Sequence, residues 1–424
     1  MLLEHMQKHN LFERHQSAYR KFHSTETALL KIQNDVFRSL DESGMVLLVL
    51  LDLSAAFDTI DHQLLLKRLQ SELGLSGVTL QWFQSYLSGR QQRVLIRGNF
   101  SENQELQWGV PQGSVLGPLL FSIYLLPLGD LIRNHNLSFH MYADDVQLYL
   151  TFQPDSVSAS SALESIQLCL QAIRSWMTTN KLKLNENKTE LITLGRKCHL
   201  THSSISHMCV GDSSVECSTV VRNLGIFLDQ ELSMQSHITS VCRTAYFHLR
   251  NIARIRKYLS DTATQSLVHA FITSRIDYGN SLLWGIPKRS LEKLQHVQNS
   301  AARLVKCVKK SEHISPILFN LHWLPVAQRI KFKLLLLTYK ALHNMSPAYI
   351  CDLISIYQPV RSLRSADACL LDVPNSRLTT CGDRAFSVAA PKLWNSLPLN
   401  LRNCASINLF KSSLKSFLFR EAYS

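Results

Sequence analysis

Residues 138–150 read SFHMYADDVQLYL and put two adjacent carboxylates, Asp144 and Asp145, inside an otherwise apolar, alternating run. Leu137, Phe139 and Met141 alternate before the pair, and Val146, Leu148 and Leu150 alternate after it. Period-two alternation on both flanks of a short polar break predicts a β-hairpin with the acids at its tip. Near a protein surface two like charges about 4 Å apart repel by roughly 4 kcal/mol. A hairpin built to be buried therefore needs something positive at its tip.

The rest of the chain bounds what that positive group serves. At 424 residues there is enough sequence for two or three domains and a sizeable core. Hydrophobic residues at 46% and charged residues at 18% describe a globular chain and not a disordered one. The longest apolar runs, MVLLVLLDL and FKLLLLTYKAL, fall short of the roughly 20 residues that span a bilayer. Ten cysteines occur without CxxC or Cys/His metal spacing, which predicts reduced thiols in a nuclear or cytoplasmic, non-secreted protein. The net charge of +13 is unevenly placed. Residues 1–230 hold 19 Lys/Arg against 22 Asp/Glu, and residues 231–424 hold 26 against 10. All the excess positive charge lies in the second half, which points to a polyanionic partner, nucleic acid first.

Along the chain, strands and helices mix up to about residue 230, an α+β pattern. HSTETALLKIQNDVFRSL predicts a helix from Thr25 with Ala28, Leu29, Ile32, Val36 and Leu40 facing inward. Met45–Leu53 predicts a buried strand that closes on Asp52. A helix with Asp61 in its first turn follows, then one closed by Gly89, a strand over QQRVLIRG, and a Gly/Pro loop opening a long apolar helix over GVPQGSVLGPLLFSIYLLPL. After the hairpin, a Ser-rich bridge at 153–161 leads to another helix, then short strands near LKLNENKTELITLG and NLGIFLD. From residue 233 the pattern is helical. In SVCRTAYFHLRNIARIRKYL one face carries Val241, Ala245, Leu249, Ile252, Ile255 and Leu259, and the opposite face carries Arg243, Arg250, Arg254 and Lys257. A face of one charge sign suits tracking along phosphates. A second basic helix, residues 289–310, repeats the arrangement with Arg303, Lys306 and Lys310.

The order of five blocks carries the functional reading: LLDLSAAFDTIDH, GVPQGSVLGPLLF, YADD, KLKLNENKTELI and NLGIFLD. Together they resemble the reverse transcriptase of non-LTR (LINE-type) retrotransposons across most of the chain. The resemblance implies a right-hand polymerase palm, an antiparallel sheet with helices, with partial fingers, a helical thumb and a C-terminal helical extension. It implies fingers and palm over 1–230 (a fingers remnant at about 1–43 and 75–108), a thumb over 231–320 and the extension over 321–424. The activity implied is RNA-directed DNA polymerisation, with an RNA template, a DNA primer and dNTPs as partners and no membrane; protein partners are not indicated. Two Mg²⁺ ions, with Mn²⁺ as an alternative, can stabilise the attacking and leaving oxygens of an in-line displacement, and hard carboxylate oxygens suit them.

By the same resemblance Asp52 and Asp144 are the principal metal ligands, with Asp145 beside them. Phe57 matches the aromatic gate under the sugar, which would clash with a 2′-hydroxyl. Gln112 and Gly113 match the dNTP-contacting loop, and Lys188 the lysine that protonates departing pyrophosphate. Arg20 and Lys21, in HQSAYRKFHSTETAL, match basic residues that meet the triphosphate. NLGIFLD resembles the primer grip, and Arg243, Arg250, Arg254 and Lys257 fit a thumb face on the duplex backbone. Related elements carry an endonuclease domain and more fingers sequence ahead of the HQSAYR block, so a chain trimmed at its N-terminus is expected. The competing expectation, from a different class, is a catalytically silent remnant that binds RNA or RNA–DNA hybrid. A nucleotide cyclase would need a Gly-Gly-Asp/Glu-Glu-Phe turn where this chain has Tyr-Ala-Asp-Asp.

Overall fold

Seven consecutive apolar residues, Met45–Leu51, form the strand β1, and every one of them is buried. A strand covered on both faces has no polar positions to alternate with, which is why the run is continuous. The strand belongs to a four-stranded sheet with β2 (Ser138–Tyr142), β3 (Asp145–Phe152) and β4 (Glu190–Leu194), in the order β4-β1-β3-β2. The computed structural model describes the whole chain except residues 55, 56, 112, 202–204, 212, 359–368 and 424. It divides into two units, one made of Met1–His23, Val46–Thr193 and Thr201–Ser218, the other of Ser24–Met45, Leu194–Leu200 and Thr219–Ser424.

In the first unit β2 and β3 pair antiparallel, with Met141 opposite Val146 and Tyr142 opposite Asp145. The expected hairpin is present, but its alternation does not separate core from solvent. His140 and Gln147, the facing polar pair, are as buried as Phe139 and Leu148. Residues 15–17 run beside β2 and cover it: Met141 N–H donates to His15 O at 2.8 Å and Ser17 N–H to Met141 O at 2.9 Å. The helix Ser156–Thr179 packs on β3 through residues such as Ile166, Leu170 and Ile173. It starts inside the segment expected as a Ser-rich bridge, because the Asp155 carboxylate caps it by accepting from Ser158 N–H at 2.8 Å.

Two other expectations need correction here. The long apolar helix is two helices, Gly117–Tyr124 and Leu126–Asn134, since Pro127 cannot donate the hydrogen bond that would carry one helix through. The strand over QQRVLIRG is two separate two-residue pieces, Gln91–Gln92 and Leu95–Ile96, each in its own pairing and exposed. Asp61, expected in the first turn, stands just before the helix His62–Ser71 and caps it, while Gly89 takes φ +66° after the helix Gly77–Leu87 as expected.

The second unit is mainly helical. Its helix Thr25–Asp41 is opened by a capping box between Ser24 and Thr27 and buries the predicted stripe, with Leu30 and Phe37 in addition. A hairpin joins Val220–Asn223 to Ile226–Asp229, and the helices Gln235–Ile255 and Lys288–Lys306 pack against each other. Toward the C-terminus, Tyr339 stacks on Phe410 at 4.3 Å beside Trp394 and ties three helices together. The predicted apolar stripe of Gln235–Ile255 ends at Ile252. Ile255 is exposed, and after it the backbone tightens while the Arg256 guanidinium donates to the carbonyls of Leu304 and Val305 at 3.0 and 2.9 Å. Lys257 therefore sits in a 3₁₀ turn after the helix, with its ammonium over the Tyr258 ring. The second basic helix also stops short: Cys307 takes φ +54° after Lys306, so Lys310 lies outside it.

Candidate active site

Asp52 follows the last residue of β1, and Asp145 opens β3, the strand next to β1 in the sheet. Two acids separated by some ninety residues of chain are thus brought to one end of adjacent strands. Burial pushes both Asp144 and Asp145 above the usual carboxylate range; Asp145 lies at about 6, raised next by Asp144 and then by Asp52. Lys188 opposes the shift at both acids. Its ammonium stands 3.2 Å from Asp52 Oδ2. The backbone explains that contact, for Leu53 pairs with Leu184 and Asn185 N–H donates to Asp52 O at 2.9 Å. The turn Glu186–Lys188 then returns the lysine toward the acid. Asn185 also donates through Nδ2 to Asp52 Oδ2 at 3.4 Å, a residue of the quoted block that sequence reasoning passed over.

The hairpin tip is held from below. Ala143, at φ +56°, occupies a conformation that side chains seldom adopt. The Gln16 carboxamide grips it on both sides, accepting from Ala143 N–H at 2.9 Å and donating to Ala143 O at 3.1 Å. Ser17 Oγ and His140 Nε2 lie 2.8 Å apart, and Arg133 holds Glu13 through two hydrogen bonds of 2.9 and 2.8 Å. None of Glu13, Gln16, Ser17 or His140 was singled out from the sequence. Arg20 belongs to this support: its Nη1 donates to the carbonyls of Glu13 and Gln16, and its guanidinium covers the Phe12 ring. Lys21 is exposed, with its ammonium over Phe22.

Phe57 lies half-buried, stacked on the buried Phe121 at 4.5 Å and perpendicular to Tyr19 at 6.5 Å. Its carbonyl accepts from Val110 N–H, and Gly109 N–H donates to Ile60 O, so the start of the GVPQG loop is laced to the loop carrying Phe57. A Cβ on Gly109 would lie 3.0 Å from Asp58 O, which requires glycine there. Gly113 has φ +79°, and Gln112 lies outside the described residues. Arg243, Arg250, Arg254 and Lys257 are all exposed in the second unit.

The protein-family model described as reverse transcriptase (RNA-dependent DNA polymerase) matches residues 1–228, more than half of the chain. The chain belongs to the reverse transcriptase family. A probable RNA-directed DNA polymerase from transposon BS of Drosophila melanogaster is 25% identical over 317 residues, 71% of this chain and 33% of the relative. The RNA-directed DNA polymerase from mobile element jockey of Drosophila funebris is 28% identical over 231 residues, 53% of this chain and 24% of the relative. These relatives place this reverse transcriptase in the non-LTR, LINE-type branch. The chain spans about a third or less of the curated relatives it matches. Among solved structures, telomerase from Candida albicans in complex with a TWJ fragment of telomeric RNA is similar at 14% identity and a TM-score of 0.36, over 78% of this chain and 55% of that one.

Reverse transcriptases as a family use divalent metal ions. The donor set at this site fits such an ion, being carboxylate oxygens alone, with Asp144 and Asp145 held back from ionising by burial first and by neighbouring acids second. Among the described residues no three acidic, histidine or cysteine side chains are drawn together tightly enough to close a site. The ammonium of Lys188 is the cation now beside Asp52. One consequence is testable in the metal-free protein. Because Asp145 keeps its proton up to about 6, the folded chain binds more protons than the unfolded one between the ordinary range and that value. Stability should therefore fall as pH rises from 4 to 6.5 in EDTA. Urea unfolding across that range should show a steeper decline in wild type than in Asp145→Asn; equal declines would contradict it.

Proposed function

We propose that this chain is an RNA-directed DNA polymerase, adding dNTPs to the 3′-hydroxyl of a DNA primer on an RNA template. The observation that carries this reading is the meeting of Asp52, Asp144, Asp145 and Lys188 at the ends of neighbouring strands. Asp52 and Asp144 would hold the principal Mg²⁺ (or Mn²⁺) ions, with Asp145 beside them. When bound, a pair of such ions supplies charge stabilisation to the attacking and leaving oxygens. Lys188 keeps a proton at Nζ on a side chain that is 67% exposed, so it can leave Asp52 and deliver that proton to departing pyrophosphate. Phe57 bars a 2′-hydroxyl, Gly113 lets the backbone approach the nucleotide, and Lys21 is the exposed cation for the triphosphate. Arg20 acts beneath the hairpin. Ten cysteines without CxxC or Cys/His metal spacing support a reducing compartment, nuclear or cytoplasmic.

Primer extension by the purified chain on an RNA template with Mg²⁺ tests the proposal, with dNTPs and NTPs compared. Extension confined to dNTPs is expected, and no extension at any protein concentration would refute it. The basic face of the second unit gives a separate expectation. If Arg243, Arg250, Arg254 and Lys257 each meet one phosphate, replacing all four with Gln should lower the slope of log affinity against log salt by about 3 to 4. Filter binding to an RNA–DNA hybrid between 50 and 300 mM salt reads that slope directly, and an unchanged slope would remove these residues from the interface.

A further inference from the structure

We propose that Tyr19 is a specificity-determining positioning residue, which locks the Phe57 ring against the 2′ position of the incoming nucleotide. The inference rests on the polymerase reading and goes beyond it, because nothing in the five sequence blocks gives Tyr19 a task.

The Phe57 ring has two neighbours of different kinds. On one side Phe121, itself wholly buried, stacks at 4.5 Å with the planes 24° apart. The main chain of Phe57 is fixed as well, through Val110 N–H at 3.0 Å. A ring held by its backbone and one stacked face can still turn about its side-chain bonds. Tyr19 meets it with its plane at 88° and its centroid 6.5 Å away, the edge-to-face arrangement aromatic pairs favour. A gate excludes a hydroxyl by collision only when it cannot yield, so a ring that blocks the turn sharpens discrimination.

Tyr19 is placed for that task. Its side chain is 53% exposed and so contributes little to the core. Its backbone nonetheless takes φ +59°, which side chains rarely adopt. Both flanks are tied down to keep it there: Ala18 N–H donates to Gln16 Oε1 at 3.0 Å, and Arg20 Nη1 donates to Glu13 O and Gln16 O at 2.6 and 3.0 Å. The same Gln16 carboxamide grips the hairpin tip. One loop thus supports the acids with one residue and the gate with another.

The test is equilibrium titration of dATP and of ATP into the full chain, loaded with an RNA template and a dideoxy-terminated DNA primer in Mg²⁺. Wild type should bind dATP more tightly than ATP. Tyr19→Ala should narrow that preference by about 3- to 10-fold, the range one aromatic pair is worth. The change should come from tighter ATP binding, with dATP altered by no more than about twofold. Tyr19→Phe keeps the ring and should keep the preference. In a Phe57→Ala background Tyr19→Ala should add nothing, since the residue it positions is gone. Equal weakening of both nucleotides in Tyr19→Ala would overturn the proposal, as would an unchanged ratio. A wild-type chain that binds neither nucleotide, or both alike, would overturn the polymerase reading and this inference with it.

Discussion

Asp144→Asn should cut primer extension by at least about 10³-fold while leaving the fold and hybrid binding intact. Asn has the shape of Asp and lacks its negative charge, so it cannot hold a divalent ion with comparable strength, and removal of one preorganised electrostatic group commonly costs about 10² to 10³ in rate. A group that holds the ion itself lies at or beyond the upper end of that range. Stability should move the other way. Burial and the nearby acids already hold Asp144 above the usual range, so a neutral side chain is what the folded protein prefers there. The urea midpoint of Asp144→Asn at pH 7 should therefore equal or exceed that of wild type. Asp52→Asn should be similarly inactive, and the double variant no worse than either single one, because groups that act as a unit do not add. Extension by Asp144→Asn within tenfold of wild type, at saturating Mg²⁺, would show that these acids do not hold the ions.

How much of this was legible beforehand depends on how local the cause is. Asp52, Asp144 and Asp145 announce themselves because a charge closing an apolar strand, or breaking an alternating one, conflicts with its own neighbours. The capping acids Asp61 and Asp155 and the stripe of the helix Thr25–Asp41 are equally local, although the serines around Asp155 disguise its cap as a polar bridge. Partners that arrive from far along the chain were not legible. Arg256, only a charge at a helix end in the sequence, donates to the carbonyls of Leu304 and Val305 some fifty residues away. His140 and Gln147 are buried where period-two alternation alone predicts an open face, and the Ser17 hydroxyl 2.8 Å from His140 Nε2 comes from more than a hundred residues away. The block of Arg20 suggests a cation for phosphate, while the hydrogen bonds of its Nη1 to the Glu13 and Gln16 carbonyls show only in the fold. A guanidinium shows its charge in the sequence and its hydrogen bonds only in the fold.

Gln16→Ala should lower extension by about 10²-fold and stability by about 3 kcal/mol or more, although Gln16 touches neither metal ligand nor nucleotide. Its carboxamide is buried and makes three hydrogen bonds, accepting from Ala143 N–H and Ala18 N–H and donating to Ala143 O. Truncation leaves those backbone groups without a partner, and each buried polar group so stranded costs about 1 to 3 kcal/mol. The structural loss falls on the least comfortable residue of the turn, Ala143 at φ +56°, immediately before Asp144. With its grip gone the tip relaxes, and a misplacement of about 1 Å at a reacting centre is worth about 10² in rate. Gln16→Glu separates shape from hydrogen bonding. The carboxylate can still accept from both N–H groups, but it cannot donate to Ala143 O, and it sets a third negative charge behind the acid pair. Asp144 and Asp145 should then hold their protons to higher pH, so the rise of activity with pH should move upward relative to wild type. Single-turnover extension and urea unfolding for wild type, Gln16→Ala and Gln16→Glu between pH 6 and 8.5 measure all of this. A Gln16→Ala chain with wild-type turnover and an unchanged midpoint would mean that the hairpin tip needs no brace.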